Sequence, residues 1–225
     1  MMNKIIRDAQ AVVFDMDGLL LDTERICYEV LTGVFNEHGF ELTRSEYINL
    51  IGLNAKEVRL RIARKLGDNI DHEKFISIWK ERYHVKTVDQ PAPVKEGVRD
   101  LIKYFRSVGK PLAVATSTDR ELAERKLRKV DLFDHFSSVV GGNQIERSKP
   151  APDIYLEAAR ALKVLPENCL AFEDSMYGLE AALSAGMQTI HIPDMVPVSL
   201  DILNKCVGVY ESCDELLELY CEAES

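Results

Sequence analysis

The chain has 225 residues, of which 46% are hydrophobic and 29% are charged, and its formal net charge is −9. These values are typical of a soluble globular protein with one sizeable domain, or a domain with an insert. The acidic balance, with no run of Lys or Arg, argues against a nucleic-acid or anionic-membrane partner. The sequence also has no apolar stretch of the roughly 18 residues that a membrane span needs.

Two further features bear on the cellular compartment. The first ten residues, MMNKIIRDAQ, lack the apolar core of a signal peptide. The five cysteines are odd in number and form no CxxC motif, so we interpret them as reduced thiols. We therefore expect a cytoplasmic protein, and a monomer is our starting expectation.

Short apolar runs alternate with helical patterns along most of the chain. The runs predict strands at 11–15, 112–117, 138–142, 169–174, 188–193 and 207–212. Apolar spacing and stop signals predict helices at 99–109, 119–130, 152–164 and 175–186. Strands that alternate with helices favour a parallel sheet covered on both faces, so we predict an α/β, Rossmann-like core.

One interval breaks this alternation. Between the first two predicted strands, residues 22–88 have helical patterns only, at 23–39, 55–67 and 72–85. The segment 90–98, QPAPVKEGV, then returns the chain to the sheet. We predict a small helical domain at 22–88, inserted after the first strand of a core domain formed by residues 1–21 and 89–225.

Polar groups of a particular kind follow the first four predicted strands. They are Asp15 and Asp17 after the first, Thr116 and Ser117 after the second, Lys149 after the third, and Glu173 and Asp174 after the fourth. Ligands bind at the carboxyl ends of the strands in open parallel sheets, so we expect these groups to converge. Mg²⁺ with its oxygen ligands, together with a phosphate group, would satisfy all of them.

The residue types match the chemistry of phosphoryl transfer. Asp15 can ligate the metal and attack phosphorus, because aspartyl-phosphate formation is a known covalent strategy. Asp17 can protonate the leaving group and then deprotonate the attacking water. The Thr116 hydroxyl can donate to a phosphate oxygen, and Lys149 balances the charge of phosphate and Asp15.

Each group has an ordinary structural interpretation when taken alone. The DxDG pattern could be a turn or part of a calcium loop, although LLLD supplies no oxygen ligands where an EF-hand needs them. Lys149 could be a solvated loop lysine, and Glu173 and Asp174 could be acids at a helix start. The functional interpretation is favoured because successive strand ends each present a suitable group.

Four segments resemble the motifs of the haloacid dehalogenase superfamily, of the phosphatase and β-phosphoglucomutase-like kind. They are FDMDG (14–18), VATST (114–118), SKPAPD (148–153) and FEDS (172–175). The helical insert is similar to the small cap domain of that family. The resemblance implies Asp15 as nucleophile, Asp17 as acid/base, and Thr116 with Ser117 and Lys149 as phosphate binders.

The resemblance also implies the metal and its ligands. Mg²⁺ would be held by Asp15, the Asp17 carbonyl and Asp174, with Glu173 beside the metal or on its waters. Dehalogenases and phosphonatases of the superfamily lack the second acid of the first motif, so the presence of Asp17 disfavours both.

Two departures separate this chain from the β-phosphoglucomutases. Cys27 and Ala55 stand where those mutases have a cap histidine and a cap arginine. We therefore predict a Mg²⁺-dependent phosphatase that acts on a small phosphorylated metabolite, with a phosphosugar expected. A phosphosugar mutase and a non-catalytic phosphate-ligand binding protein are the alternatives.

The helical insert is expected to bind the part of the substrate beyond the phosphate group. Asp22, Glu24 and Asn54 could hydrogen-bond sugar hydroxyls, and the alternative is that they are helix caps and surface polar groups. We also expect the insert to close over the site as a lid that excludes water.

Overall fold

A computed structural model describes residues 2–51 and 55–222 of the chain. Within these residues, one six-stranded sheet has the order β3-β2-β1-β4-β5-β6, and all of its neighbouring strands are parallel. The strands are β1 (Ala11–Phe14), β2 (Leu112–Thr116), β3 (Ser138–Gly141), β4 (Cys169–Glu173), β5 (Gln188–His191) and β6 (Gly208–Val209). The predicted α/β fold with a parallel sheet is confirmed.

Helices follow the strands and fill the long interval after β1. They are α1 (Met2–Asp8), α2 (Thr23–Glu37), α3 (Arg44–Ile48), α4 (Ala55–Leu66), α5 (His72–His84), α6 (Val98–Ser107), α7 (Arg120–Lys129), α8 (Asp153–Leu162), α9 (Met176–Ser184), α10 (Leu200–Leu203) and α11 (Cys213–Glu222). The sequence patterns did not predict α1, α3, α10 and α11. In the described part of the chain, no helix is long and apolar enough to cross a membrane.

Alternating side chains of the central strands fill two separate cores. Val12 and Phe14 point to one face, where Phe105 of α6 packs with them, and the rings of Phe14 and Phe105 lie 6.3 Å apart. Ala11 and Val13 point to the other face, which α8 and α9 cover. Burial on both faces explains why β1 is a continuous apolar run rather than an alternating one.

The helices after β1 have a hydrophobic cluster of their own. Phe35 of α2 and Phe75 of α5 lie at its centre, with ring centroids 4.8 Å apart, and Tyr47 and Ile62 are also buried in it. This cluster supports our proposal of a cap domain, and the boundaries at residues 22 and 88 remain a prediction. Below, the segment 22–88 is called the cap.

The two crossings between the sheet and the cap are paired with each other. The Asp22 N–H donates to the Pro93 carbonyl at 2.9 Å, and the Lys95 N–H donates to the Leu20 carbonyl at 3.0 Å. Leu21 forms an antiparallel bridge with Val94. The cap therefore joins the core through a short hydrogen-bonded ribbon, and the leucines of this ribbon are anchored in the main core.

Candidate active site

The predicted groups meet at the carboxyl edge of the sheet. Asp15 follows β1 directly, and its N–H donates to the Phe172 carbonyl of β4 at 3.0 Å. Since β1 lies between β2 and β4, Thr116 and Asp174 flank it at the same edge. A cavity of about 290 Å³ opens there, lined by Asp15, Asp17, Glu24, Ile51, Thr116, Ser117, Lys149, Asp174, Ser175 and Tyr177.

Lys149 lies between two carboxylates at the bottom of this site. Its Nζ donates to Asp15 Oδ1 at 2.5 Å and to Glu173 Oε1 at 2.6 Å, with the Ala115 carbonyl at 3.3 Å. Burial favours neutral Lys149, but the two carboxylates outweigh it and raise the pKa of the lysine. Lys149 is therefore a permanently charged cation in contact with the predicted nucleophile.

Glu173 is fully buried beneath this lysine. Its Oε1 also accepts from the Tyr155 hydroxyl at 2.9 Å, and its Oε2 accepts from two backbone N–H groups and the Ser175 hydroxyl. Burial opposes ionisation, but Lys149 and these donors hold the pKa of Glu173 below its usual value. The structure places Glu173 outside the cavity lining. In the described residues it contacts Lys149 directly, and its expected place at the metal or its waters stays a prediction.

The carboxylate of Asp17 is held by a network that spans the core and the cap. Its Oδ1 accepts from Lys126 and Thr23, both at 2.8 Å, and its Oδ2 accepts from Thr118 at 2.7 Å and Thr116 at 3.3 Å. Burial favours the protonated form, but the charge and hydrogen bond of Lys126 outweigh it and lower the pKa of Asp17. The side chain is thus ionised and oriented at the cavity wall.

Two of the predicted phosphate binders, Thr116 and Ser117, lie at the carboxyl end of β2. The Thr116 hydroxyl donates to Asp17, and it accepts from the Thr118 N–H at 3.1 Å. Ser117 is exposed and lines the cavity. The structure therefore brings both residues to the site, with Thr116 engaged by Asp17 and Ser117 facing the open space.

The donor set fits a hard divalent cation. Burial raises the pKa of Asp15 to about 8 despite the nearby Lys149, and burial together with Glu173 and Asp15 raises the pKa of Asp174 well above its usual value. Among the described residues, no hydrogen-bond donor contacts the Asp174 carboxylate. These two carboxylates have little positive charge around them, and Mg²⁺ would stabilise their ionised forms.

The described residues contain no group of three or more His, Cys, Asp or Glu side chains arranged to hold a metal. The predicted set does not require such a group, because one of its ligands is the Asp17 backbone carbonyl. The residues present therefore fit Mg²⁺, which Asp15 and Asp174 would hold through their side chains.

The three predicted cap residues differ in their surroundings. Glu24 lines the cavity and accepts from the Tyr47 hydroxyl at 2.8 Å, and burial raises the pKa of Glu24 to about 7. Asp22 does not line the cavity but pairs with Arg25 at 2.9 Å, and its side chain does not cap α2. Capping of α2 by the Asp22 side chain is therefore wrong, whereas its contact with a substrate hydroxyl stays a prediction. Asn54 lies outside the described residues.

A smaller pocket of about 160 Å³ adjoins the cavity on the cap side. It shares Glu24 and Ile51 with the cavity and is lined further by Cys27, Leu31, Tyr47, Leu50, Val58 and Trp79. Burial raises the pKa of the Cys27 thiol to about 12, so it is a neutral wall residue. A groove of about 400 Å³ also lies within the cap, but the strand-end carboxylates do not line it.

Sequence reasoning missed several residues of this site, although a signal existed for some. Lys126 lies with Ala123 and Leu127 on the buried face of α7, so a lysine within an apolar stripe was the available signal. Asp194 comes shortly after β5, where the rule for strand ends would have found it. Thr23, at the start of α2, was also missed, and its hydroxyl donates to Asp17.

Known proteins are similar to this chain in sequence and in fold. The chain matches the haloacid dehalogenase-like hydrolases over residues 12–192. It is 35% identical over 185 residues to the phosphorylated carbohydrates phosphatase of Thermotoga maritima, covering 81% of this chain and 84% of the relative. It is 30% identical over 189 residues to hexitol phosphatase B of Escherichia coli K12, covering 83% and 85% of the two chains.

A solved structure has the same fold. A HAD family hydrolase of Deinococcus radiodurans R1, with bound phosphate and sodium, superposes with a TM-score of 0.82 and 26% identity, covering 96% of this chain and 97% of that one. Fold and relatives together define an enzyme of the phosphoric monoester hydrolase class. The chain belongs to the haloacid dehalogenase-like hydrolase family.

Proposed function

We propose that this hydrolase is a Mg²⁺-dependent phosphatase that cleaves a small phosphate monoester through an aspartyl-phosphate intermediate, with a phosphosugar as the expected substrate. The observation that carries the proposal is the contact of Lys149 Nζ with Asp15 Oδ1 at 2.5 Å. A nucleophilic carboxylate in contact with a buried cation is suited to receive a phosphoryl group, because the lysine offsets charge on both partners.

The chain's own residues supply the two half-reactions. Asp15 attacks phosphorus, the bond from phosphorus to the ester oxygen breaks, and Asp17 gives its proton to the departing alkoxide. Water then attacks the acyl phosphate while Asp17 takes a proton from it, which frees inorganic phosphate and the Asp15 carboxylate. The first half-reaction requires protonated Asp17, so its hydrogen bonds to Lys126 and Thr23 must rearrange as substrate binds.

The phosphate group is bound mainly by residues of the core. Lys149, Thr116 and Ser117 all line the cavity, and the phosphate oxygens would lie against them. Asp15, Asp174 and the Asp17 carbonyl would hold Mg²⁺, which supplies positive charge against the phosphate oxygens. Glu173 and Tyr155 keep Lys149 aimed at Asp15.

The size and polarity of the cap side support a small, hydroxylated leaving group. The adjoining pocket measures about 160 Å³ and offers Glu24 and Tyr47 as polar groups among apolar walls. Two of the similar proteins are named for phosphorylated carbohydrates and for hexitols. Glu24, whose pKa lies near neutrality, can donate to or accept from a sugar hydroxyl.

The cap is proposed to act as a lid. Glu24 and Ile51 of the cap form part of the cavity wall, so cap movement would open and close the site. Closure would exclude bulk water from the developing acyl phosphate and strengthen the electrostatic interactions inside. The paired ribbon of the two crossings is the natural hinge.

The test is phosphate release from a panel of sugar phosphates, polyol phosphates, nucleotides and glycolytic intermediates, with Mg²⁺ and with a chelator. We expect release from one or more phosphosugars that depends on Mg²⁺. Conversion of a hexose 1-phosphate to the 6-phosphate without net phosphate release would establish a mutase instead. Binding without turnover across the panel would establish a phosphate-ligand binding protein.

A further inference from the structure

Asp194 is a buried carboxylate that the proposed mechanism does not use. It follows β5 by three positions, and its side chain is 4% exposed. Lys95 Nζ donates to its Oδ1 at 2.5 Å, but its Oδ2 is buried and has no hydrogen-bond partner among the described residues. A buried acceptor without a donor is costly, so this oxygen requires a partner.

The free oxygen lies beside the carboxylate of Asp174. Gly18 adopts a φ of +92°, and a Cβ built on it would lie 3.2 Å from Asp194 Oδ2 and closer still to Asp174 Oδ2. Both oxygens therefore face the same small space at the turn after β1.

We propose that Asp194 is an outer-sphere carboxylate of the Mg²⁺ site, whose free oxygen accepts a hydrogen bond from a water on the cation held by Asp15 and Asp174. This inference rests on the Mg²⁺ site proposed above. Mg²⁺ usually retains several waters in proteins, and those waters need acceptors. Asp194 does not line the cavity, so it is suited to receive such a water rather than to bind the cation or the substrate.

Lys95 keeps this carboxylate in place. It belongs to the segment that returns from the cap, and its backbone N–H is fixed by the Leu20 carbonyl at 3.0 Å. The ion pair occupies one carboxylate oxygen of Asp194 and leaves the other oxygen free to face the proposed Mg²⁺ site. The competing explanation is that Asp194 serves only as the partner of Lys95, and the two explanations predict different effects on Mg²⁺ binding.

The experiment is a calorimetric titration with Mg²⁺ alone, without substrate, on the full-length protein. We expect Asp194→Asn to weaken Mg²⁺ binding by roughly 10- to 100-fold, as is typical of outer-shell partners. Lys95→Met keeps the carboxylate and removes a positive charge, so it should bind Mg²⁺ as tightly as the wild type or more tightly. The matched control is Glu46→Gln, which breaks a lysine–carboxylate pair of the same 2.5 Å length within the cap.

A double variant, Lys95→Met with Asp194→Asn, tests whether Mg²⁺ binding depends on the Asp194 carboxylate itself or only on the net charge near the site. It removes one charge of each sign, so weak Mg²⁺ binding in it supports the outer-sphere role. Wild-type affinity in the double variant, or in Asp194→Asn alone, would overturn the proposal, as would equal losses in Asp194→Asn and Lys95→Met. If the wild type binds no Mg²⁺, the proposed metal site fails as well. Metal-free melting temperatures report whether each variant is folded.

Discussion

Asp15 and Asp17 differ in their electrostatic surroundings, and the two residues should respond differently to the same substitution. Asp15→Asn should abolish turnover, because an amide is a poor nucleophile and a weak Mg²⁺ ligand. Asp17→Asn should lower kcat by a factor of roughly 10² to 10⁴, the usual cost of losing a general acid and base. Steady-state kinetics and acid-quench trapping of a phosphorylated enzyme measure both effects.

A carboxylate outside the site provides the control for this pair. Asp100 is exposed on α6 and pairs with Lys103, so Asp100→Asn should retain wild-type kcat. Near-normal turnover in Asp15→Asn would contradict the covalent mechanism. If Asp17→Asn retains wild-type kcat, only the acid/base role of Asp17 would be contradicted.

Glu24 should make stability depend on pH. The pKa of Glu24 rises from an ordinary 4.5 to about 7 on folding, mainly because of burial. Between these values the unfolded chain is ionised at this site while the folded chain holds the proton, so stability should fall as pH rises from about 4.5 to 7. At about 1.4 kcal/mol per pH unit, the loss over this interval is no more than about 3.5 kcal/mol.

Chemical unfolding of the wild type and Glu24→Gln at pH 5 and pH 8 measures this effect. The variant should gain stability relative to the wild type at pH 8. Glu29→Gln, an exposed position on the same helix, is the matched control and should parallel the wild type. A wild type and a Glu24→Gln variant with the same pH dependence would show that Glu24 is ionised in the folded protein.

At the scale of elements, the close approach of α9 to the end of β4 fixes Glu173. A Cβ on Gly178 would overlap the Glu173 carboxylate, which is fully buried and cannot move aside. Gly178→Ala should therefore destabilise the protein by about 1–3 kcal/mol, as overpacking does. It should also lower kcat, because Glu173 would no longer orient Lys149.

A glycine-to-alanine substitution in a different helix should instead stabilise the protein. A Cβ on Gly33 of α2 meets no atom of the described residues within 4 Å, so Gly33→Ala should stabilise the helix by up to about 1 kcal/mol. Melting temperatures and kcat for both variants make the comparison. Stabilisation by Gly178→Ala would mean that α9 does not press against Glu173.

At the scale of the whole molecule, the site is divided between the cap and the core. Residues of the core, such as Asp15, Thr116 and Lys149, line the cavity together with Glu24 of the cap. Glu24→Gln should therefore lower kcat/KM for a phosphosugar by roughly tenfold or more, the range of one hydrogen bond to a charged group. The loss for p-nitrophenyl phosphate should be smaller, because that ester has no hydroxyl for Glu24 to contact.

Comparing the two substrates across Glu24→Gln and Glu29→Gln is the measurement. Losses of the same size for both esters in Glu24→Gln would show that the cap does not read the substrate through this residue. Unchanged constants in Glu29→Gln would confirm that the effect belongs to the cavity and not to the helix as a whole.

Local patterns determined most of the core and the placement of the main groups. The apolar runs predicted the six strands that the described residues form, and the ends of the first four marked their groups, from Asp15 to Asp174. This succeeded because strands that are buried on both faces leave a strong local signal. Helices α1 and α11 were not predicted, although the amphipathic pattern of α11 is as strong as that of α2.

Only the tertiary structure decided how these groups contact one another. Lys126 reaches Asp17 across 109 positions of sequence, Glu173 turns beneath Lys149 rather than into the cavity, and Asp194 comes to lie beside Asp174. Periodicity reports which face of an element is buried, but the packing of one element against another decides which side chains meet on that face. The sequence by itself therefore determined the family, the sheet and its strand-end groups, whereas the partner of each carboxylate depended on the packing between distant elements.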